Sequence, residues 1–150
     1  MKPVTFEPIG VIHSDIKNPK DAPRSERMAE GNKATVEIFP EFAEGLADLD
    51  GFSHIILITH FHLSKSKPLK VTPFLDNVQR GVFATRSPNR PNAIGMSTVQ
   101  LDRIEGNILY IANTEMVDGT PILDIKPFIP LMYKEEDIKI GWLTGKRRDK

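Results

Sequence analysis

The sequence predicts a mainly β domain, a small barrel or strongly curved sheet with one or two short helices and long loops. Three observations carry this. Apolar, β-branched segments of strand length recur along the chain, separated by turn residues. Twelve prolines and ten glycines in 150 residues interrupt any long helix. The strand–helix alternation of a parallel nucleotide-binding sheet is missing, as is a G-x-G-x-x-G loop.

Residues 4–13 (VTFEPIGVIH) read as a first strand, with Pro8 marking an edge or a bend. Residues 14–32 are polar, hold Pro19, Pro23 and Gly31, and show no apolar periodicity. Loops of this length in a compact domain are functional or mobile. Residues 34–39 alternate as a strand does. Residues 41–49 place Phe42, Leu46 and Leu49 at i, i+4 and i+7, a short helix weakened by Gly45. Residues 53–63 (SHIILITHFHL) are the strongest strand. A proline-punctuated basic loop fills residues 65–80, and a short strand is expected at 81–85. Residues 94–104 and 107–113 read as a hairpin around Glu105–Gly106–Asn107. A short apolar strand at 122–125 precedes Pro127. Residues 137–143 are ambiguous, and the KRRDK end is expected to fray.

The length fits a single domain spanning residues 1–150 with a substantial core. Hydrophobic residues at 39% and charged residues at 27% are ordinary for a globular chain. Lys plus Arg equals Asp plus Glu at 20 each, which excludes coating nucleic acid by bulk charge. With no cysteine, disulfide scaffolds, Cys-based zinc sites, iron–sulfur clusters and thiol catalysis are excluded. Residues 1–11 lack the apolar stretch of a secretory signal, and no run approaches the roughly 18 residues of a membrane-spanning helix. A cytoplasmic protein with no membrane partner is expected. Charge is nonetheless segregated. Residues 28–52 carry six acids and one base, whereas 60–92 carry Lys65, Lys67, Lys70, Arg80, Arg86 and Arg90 against Asp76 alone. An anionic partner would meet the middle segment and the basic end; the alternative is a solvated mixed-charge surface.

Four constellations have chemical potential. In residues 81–97 (GVFATRSPNRPNAIGMS), Pro88 and Pro91 forbid a helix and push Ser87 and Arg90 to extended backbone. A stiff loop then presents Arg86 and Arg90, whose guanidinium forks match carboxylate or phosphate, with Asn89 and Asn92 beside them. The alternative is an arginine tied to backbone carbonyls to shape the loop. In residues 116–127 (MVDGTPILDIKP), Asp118–Gly119 signals a turn whose backbone could grip an adenine edge or a ribose, with Asp118 or Asp124 taking hydroxyls; the alternative is a plain inter-strand turn. His54, His60 and His62 share one parity on one strand, but the remaining histidine, His13, is distant and no cysteine exists. Metal needs at least three ligands, so no metal is expected and a pocket histidine is preferred. Arg24 and Arg27 in the first long loop could close over a ligand, the alternative being solvated charge. No catalytic triad, nucleophile elbow, Walker loop or paired-carboxylate pattern is present. Recognition groups without a covalent catalyst favour a transfer in which a cofactor brings the reactive centre and the protein aligns it.

The strings GVFATRSPNRPNAIGMS and VDGTPILDIKP, with IGVIHS near the start, DGFSHIILI in the middle and Pro23–Arg24, resemble the TsaA/TrmO-like (YaeB-like) family over roughly residues 6–130. The resemblance implies a small β-barrel and an S-adenosylmethionine-dependent methyltransferase. The acceptor it implies is N6 of threonylcarbamoyladenosine at position 37 of tRNA, beside the anticodon. It also implies a homodimer with the cofactor near the subunit contact. By position, Pro23, Arg24 and Ser25 match the family's first cofactor-binding loop, and Phe61, His62 and Leu63 its pocket after the long strand. Arg86 matches the arginine of its ATRS string, and Met96 falls in its cofactor-lining stretch. Asp118, Gly119, Thr120, Pro121, Ile122, Leu123, Asp124 and Ile125 match its last cofactor-binding segment. Leu63 stands where the family commonly has a polar residue, so a backbone contact is expected there. Longer bacterial members carry a further C-terminal domain implicated in tRNA handling.

On this resemblance Arg86 is expected to take the cofactor's carboxylate, Arg24 to close over it, and residues 118–125 to hold the adenosyl part through backbone groups. Arg90 and Asn92 are expected on the substrate side, and Lys65, Lys67 and Lys70 on phosphates of the tRNA anticodon loop. No catalytic base is assigned. Two alternatives stay open: a non-catalytic nucleotide- or RNA-binding barrel, and a methyltransferase acting on another small acceptor.

Overall fold

Eight strands form among the described residues. They are β1 (Gly10–His13), β2 (Lys33–Ile38), β3 (His54–His60), β4 (Lys70–Val71), β5 (Arg80–Gly81), β6 (Ile94–Glu105), β7 (Ile108–Ala112) and β8 (Pro121–Pro127). The computed structural model describes residues 1–24, 26–131 and 133–146, without the side chains of residues 26 and 27. Ser25, the Arg27 side chain and the basic residues at 147–150 therefore lie outside the described residues.

Six strands close a barrel in the order β1-β2-β7-β6-β3-β8, every neighbouring pair antiparallel. Closure removes the unpaired sheet edges that an open sheet would expose. Strict alternation drives it. Along β3, Ile55, Leu57 and Thr59 are buried while His54 and His60 are exposed. Ile12, Val36, Leu109, Ile111, Val99 and Ile122 complete the same interior, each at or below 1% exposure. Burying each such side chain contributes roughly 1.5–3 kcal/mol, so the alternating rows dominate the driving force. At the far end, Gly106 at φ +61° supplies the left-handed position that the two-residue turn between β6 and β7 requires.

Because all pairs are antiparallel, the chain leaves β1, β3 and β7 and enters β2, β6 and β8 at one and the same end of the barrel. The connections at that end are residues 14–32, 61–93 and 113–120, which hold most of the residues singled out from the sequence, while Met96 and residues 121–125 lie on β6 and β8. The opposite end carries residues 39–53 and the tight β6–β7 turn.

Several local expectations change. The first strand begins only at Gly10, since Pro8 has no N–H for a ladder. The brief helix at 41–49 is a 3-10 helix over Pro40–Leu46, followed by a second 3-10 turn at Leu49–Gly51. The strand expected at 81–85 is only the end of the two-residue β5. Val82 is buried, and both the N–H and the hydroxyl of Thr85 donate to its carbonyl, closing a 3-10 turn over Val82–Ala84. The basic loop 65–80 contains a small hairpin, with Lys70 opposite Gly81 and Val71 opposite Arg80.

Candidate functional site

The loop end of the barrel is assembled from the strand ends upward. Gly95, opposite Thr59 in the β3–β6 ladder, is the reason Phe61 can fold back over the start of β6. A Cβ at Gly95 would lie 2.5 Å from Thr59 Oγ1 and 2.8 Å from Phe61 Cζ. Phe61 N–H donates to Ala93 O at 2.7 Å, joining the two chain segments where they leave the barrel. Beyond it, the His62 N–H donates to His60 O, and Ser64 Oγ donates to Asn89 Oδ1 at 2.9 Å. Residues 61–64 are thereby fastened to the proline-stiffened arginine loop.

Within that loop the two arginines differ. Arg90 Nη1 donates to Thr85 O at 2.9 Å and to Ser87 O at 3.2 Å. These bonds clamp the carbonyls flanking Arg86, so Arg90 Nη1 serves the loop's shape, the alternative reading of this constellation. Arg86 is exposed and has no hydrogen-bond or ion-pair partner among the described residues. Its fork is held by rigid backbone and free to take an anion.

The third segment is the turn before β8. Gly119 adopts φ +80°, and a Cβ there would meet His62 Nε2 at 3.8 Å, so the turn and the His62 loop face each other. The turn is tied to the first long loop: Asp118 N–H donates to Ile16 O and Gly119 N–H to Ile12 O. The Asp118 carboxylate accepts from Ser14 N–H at 3.0 Å and from Lys17 Nζ at 2.9 Å. The Lys17 ammonium first, and the Ser14 N–H after it, hold this carboxyl below the usual carboxylate range. Thr120 donates its hydroxyl and its N–H to Val117 O and accepts Ile12 N–H at its carbonyl, while the Ile122 side chain lies in the core and its carbonyl accepts from Ile9 N–H, so these two positions hold the turn in place. Asp124 is engaged locally, by its neighbour's N–H and by Lys126 Nζ at 2.9 Å. The β3–β8 register shifts after Ile58, pairing it with Asp124 and Thr59 with Ile122, which leaves Leu123 out of the ladder. A bulge of this kind re-aims backbone groups beside functional sites.

The remaining candidates spread around this end. Met96, 52% exposed, stands on the outer barrel wall in one cross-strand row with Ile58 and Asp124. Leu63 is exposed and His62 half-buried. Pro23 is half-buried, and the Arg24 guanidinium lies 4.1 Å from the Phe74 ring centroid, joining the first long loop to the basic loop. Asn92 is exposed, and Lys65, Lys67 and Lys70 are exposed with no ion pair among the described residues. His54 and His60 point outward from β3, while His62 lies past its end and so does not share their strand face. Among the described residues no group of three or more His, Asp or Glu gathers as a metal site.

Sequence reading missed several connectors. Ser64 and Lys17 act on partners 25 and 101 residues away. Ser97, on the inner face of β6, donates to Glu115 and couples that strand to the 113–120 loop. Trp142 Nε1 donates to Ala84 O at 2.8 Å; its being the sole tryptophan was the one available signal. An open cleft of about 510 Å3 lined by His13, Lys17, Lys33, Tyr110 and Asp118 lies on the β1–β2 side. Within it Lys17 pairs with Asp118, His13 and Lys33 pair with Glu37 and Asp102 beside it, and Asp118 is its one member among the candidate residues.

The arrangement unites a free guanidinium, exposed apolar side chains (Leu63, Met96) and a glycine turn at one barrel end. It fits a ligand with an anionic group and an apolar body. Among the described residues it contains no assembled nucleophile–base pair.

The family model of the tRNA-methyltransferase O N-terminal domain matches residues 11–133. A Pyrococcus abyssi protein named "Probable S-adenosyl-L-methionine-binding protein" is 52% identical over 140 residues, covering 93% of this chain and 76% of that one. The Mus musculus tRNA (adenine(37)-N6)-methyltransferase is 37% identical over 130 residues, covering 82% of this chain and 30% of the mouse protein. The crystal structure of TrmO from Pseudomonas aeruginosa superposes with a TM-score of 0.77 at 34% identity, covering 94% of this chain and 63% of that chain. This chain thus spans under two-thirds of that solved structure and under a third of the mouse enzyme.

Proposed function

Because the chain belongs to the family of tRNA-methyltransferase O N-terminal domains, we propose that it binds S-adenosylmethionine at the loop end of the barrel and methylates N6 of threonylcarbamoyladenosine at position 37 of tRNA. The observation that carries this reading is the convergence of the Arg86 loop, the His62 loop and the Gly119 turn at one end of the barrel, with Arg86 unpartnered among the described residues. The residues present suit the cofactor: a guanidinium for its carboxylate, apolar side chains for its thioether body, and the Asp118 and Gly119 carbonyls of the turn for its adenosyl part.

When bound, the sulfonium cofactor supplies an already activated methyl group, so no protein nucleophile is required. The chain's own contribution is binding and alignment, which is the larger part of such a transfer. Arg86 holds the carboxylate, and Arg24, stacked on Phe74, closes from the first long loop. Arg90 keeps the Arg86 backbone in place. Leu63 and Met96 border the site with apolar surface that excludes water. Lys65, Lys67 and Lys70 take phosphates of the anticodon loop, whose unpaired bases are readily presented, and Asn92 contacts the modified base. The active form is a homodimer: Ile94 and Met96, alternate residues on one outward face of β6 at 45% and 52% exposure, offer apolar side chains to a partner.

The test is to incubate the protein with S-adenosylmethionine and tRNA lacking the methyl mark, digest the tRNA, and weigh its nucleosides. A gain of one methyl on threonylcarbamoyladenosine is expected. Cofactor binding with no methyl gain would assign the chain to another acceptor or to binding alone. Light scattering at micromolar concentration tests the dimer, a monomer mass refuting it.

A further inference from the structure

The family match ends at residue 133, yet the chain beyond it reaches back to the arginine loop. Trp142, in the 3-10 turn Gly141–Leu143, donates its indole N–H to Ala84 O at 2.8 Å, two residues before Arg86. Four residues on, Lys146 Nζ lies 2.6 Å from Asp76 Oδ1 at the tip of the β4–β5 hairpin. The Asp76 side chain is 3% exposed and also takes Arg80 through Nε at 2.8 Å and Nη2 at 2.7 Å. The indole ring lies near both cations, its centroid 5.6 Å from Arg80 Cζ and 5.7 Å from Lys146 Nζ. A carboxylate this enclosed, held by two cations, is a firm anchor. From that anchor the hairpin runs through Gly81 directly into the turn Val82–Ala84 and on to Arg86.

We propose that residues 141–146 form a positioning strap for Arg86, with Trp142 and Lys146 as its two fasteners. Arg86 itself has no contact that fixes its loop. Its backbone is set from one side by Arg90 on Thr85 O and Ser87 O, and from the other by the Val82–Ala84 turn that the strap holds. The strap acts through backbone position and touches no ligand, so Trp142 and Lys146 are positioning residues. This inference rests on the reading of Arg86 as the cofactor's arginine.

The test uses Trp142→Phe, which keeps an aromatic side chain and removes the N–H, together with Lys146→Met and its conservative counterpart Lys146→Arg. Two readouts are taken: S-adenosylmethionine affinity by calorimetry, and amide exchange of residues 82–90 in the ligand-free protein. Loss of one neutral hydrogen bond predicts a Kd for Trp142→Phe raised about three- to tenfold, with faster exchange confined to that segment. Lys146→Met shifts both readouts the same way, and Lys146→Arg restores them. In an Arg86→Ala background, Trp142→Phe adds no further loss, because the strap works through Arg86. Unchanged affinity with unchanged exchange, or an undiminished loss in the Arg86→Ala background, overturns the strap. A wild-type protein that binds no S-adenosylmethionine overturns the functional reading instead, and the exchange data then decide the strap alone.

Discussion

Replacing Gly95 by alanine reverses the ordinary sign of such a change. Glycine inside a strand is destabilising by roughly 0.5–1 kcal/mol relative to alanine, so an unhindered Gly95→Ala would stabilise the protein by that amount. Here the new methyl would stand 2.5 Å from Thr59 Oγ1 and 2.8 and 3.1 Å from two atoms of the Phe61 ring. Carbon–carbon contacts are optimal near ~3.5–4.0 Å, so the Phe61 ring must retreat by the better part of an ångström. Phe61 cannot retreat alone, since its N–H is bonded to Ala93 O and its loop is fastened through Ser64 to Asn89. Overpacking of this kind costs about 1–3 kcal/mol, which lowers Tm by roughly 2–12 °C for a chain of this size. Denaturant unfolding of Gly95→Ala, Phe61→Ala and the double variant measures it. The double variant is expected to recover the ring's share of the Gly95→Ala loss and to keep the share owed to Thr59, whose hydroxyl still stands 2.5 Å from the methyl. A Gly95→Ala protein as stable as the wild type, or more so, would refute the packing argument.

Three further outcomes follow from the same geometry. Arg90→Ala is expected to destabilise the protein by about 1–2 kcal/mol, because Thr85 O and Ser87 O lose a charged donor, and chemical denaturation reads this directly. Asp118 is held below its ordinary carboxyl pKa by Lys17 and Ser14, so its contribution to stability is complete above the usual carboxylate range of about 4. That contribution fades as pH falls through the lowered folded value, and an Asp118→Asn variant should show a flatter acid limb in a Tm-against-pH series; parallel acid limbs would count against the pairing. Replacing Lys65, Lys67 and Lys70 together by glutamine should reduce the slope of log K for tRNA against log salt by roughly 2–3, and an unchanged slope removes them from the phosphate contacts.

The barrel was legible because its signal is local and repeated. The alternation of β3 and the β6–β7 hairpin with Gly106 at its tip can be read from neighbours alone. The site was legible in part. Its segments stood out through prolines, glycines and arginines, but their common location depends on every barrel pairing being antiparallel, a global property. What separates Arg86 from Arg90 was not legible. Both flank prolines in the same loop, and only the folded positions of the 85 and 87 carbonyls decide which is tied. That the Asp118 carboxylate pairs with Lys17 was not legible either, because Lys17 lies 101 residues away in the chain. The end of the chain read as ambiguous because a single 3-10 turn has no periodicity, and its purpose depends on Ala84 and Asp76, both more than 55 residues distant.

The central claim, that the loop end of this barrel takes S-adenosylmethionine through Arg86, is tested most directly by calorimetric titration of the wild type and Arg86→Ala with the cofactor. The account predicts binding by the wild type and a loss of at least ~2 kcal/mol in the variant, about thirtyfold in Kd, from one charge-assisted bond. Equal affinity in the two proteins would remove Arg86 from the site, and no binding by either would contradict the account as a whole.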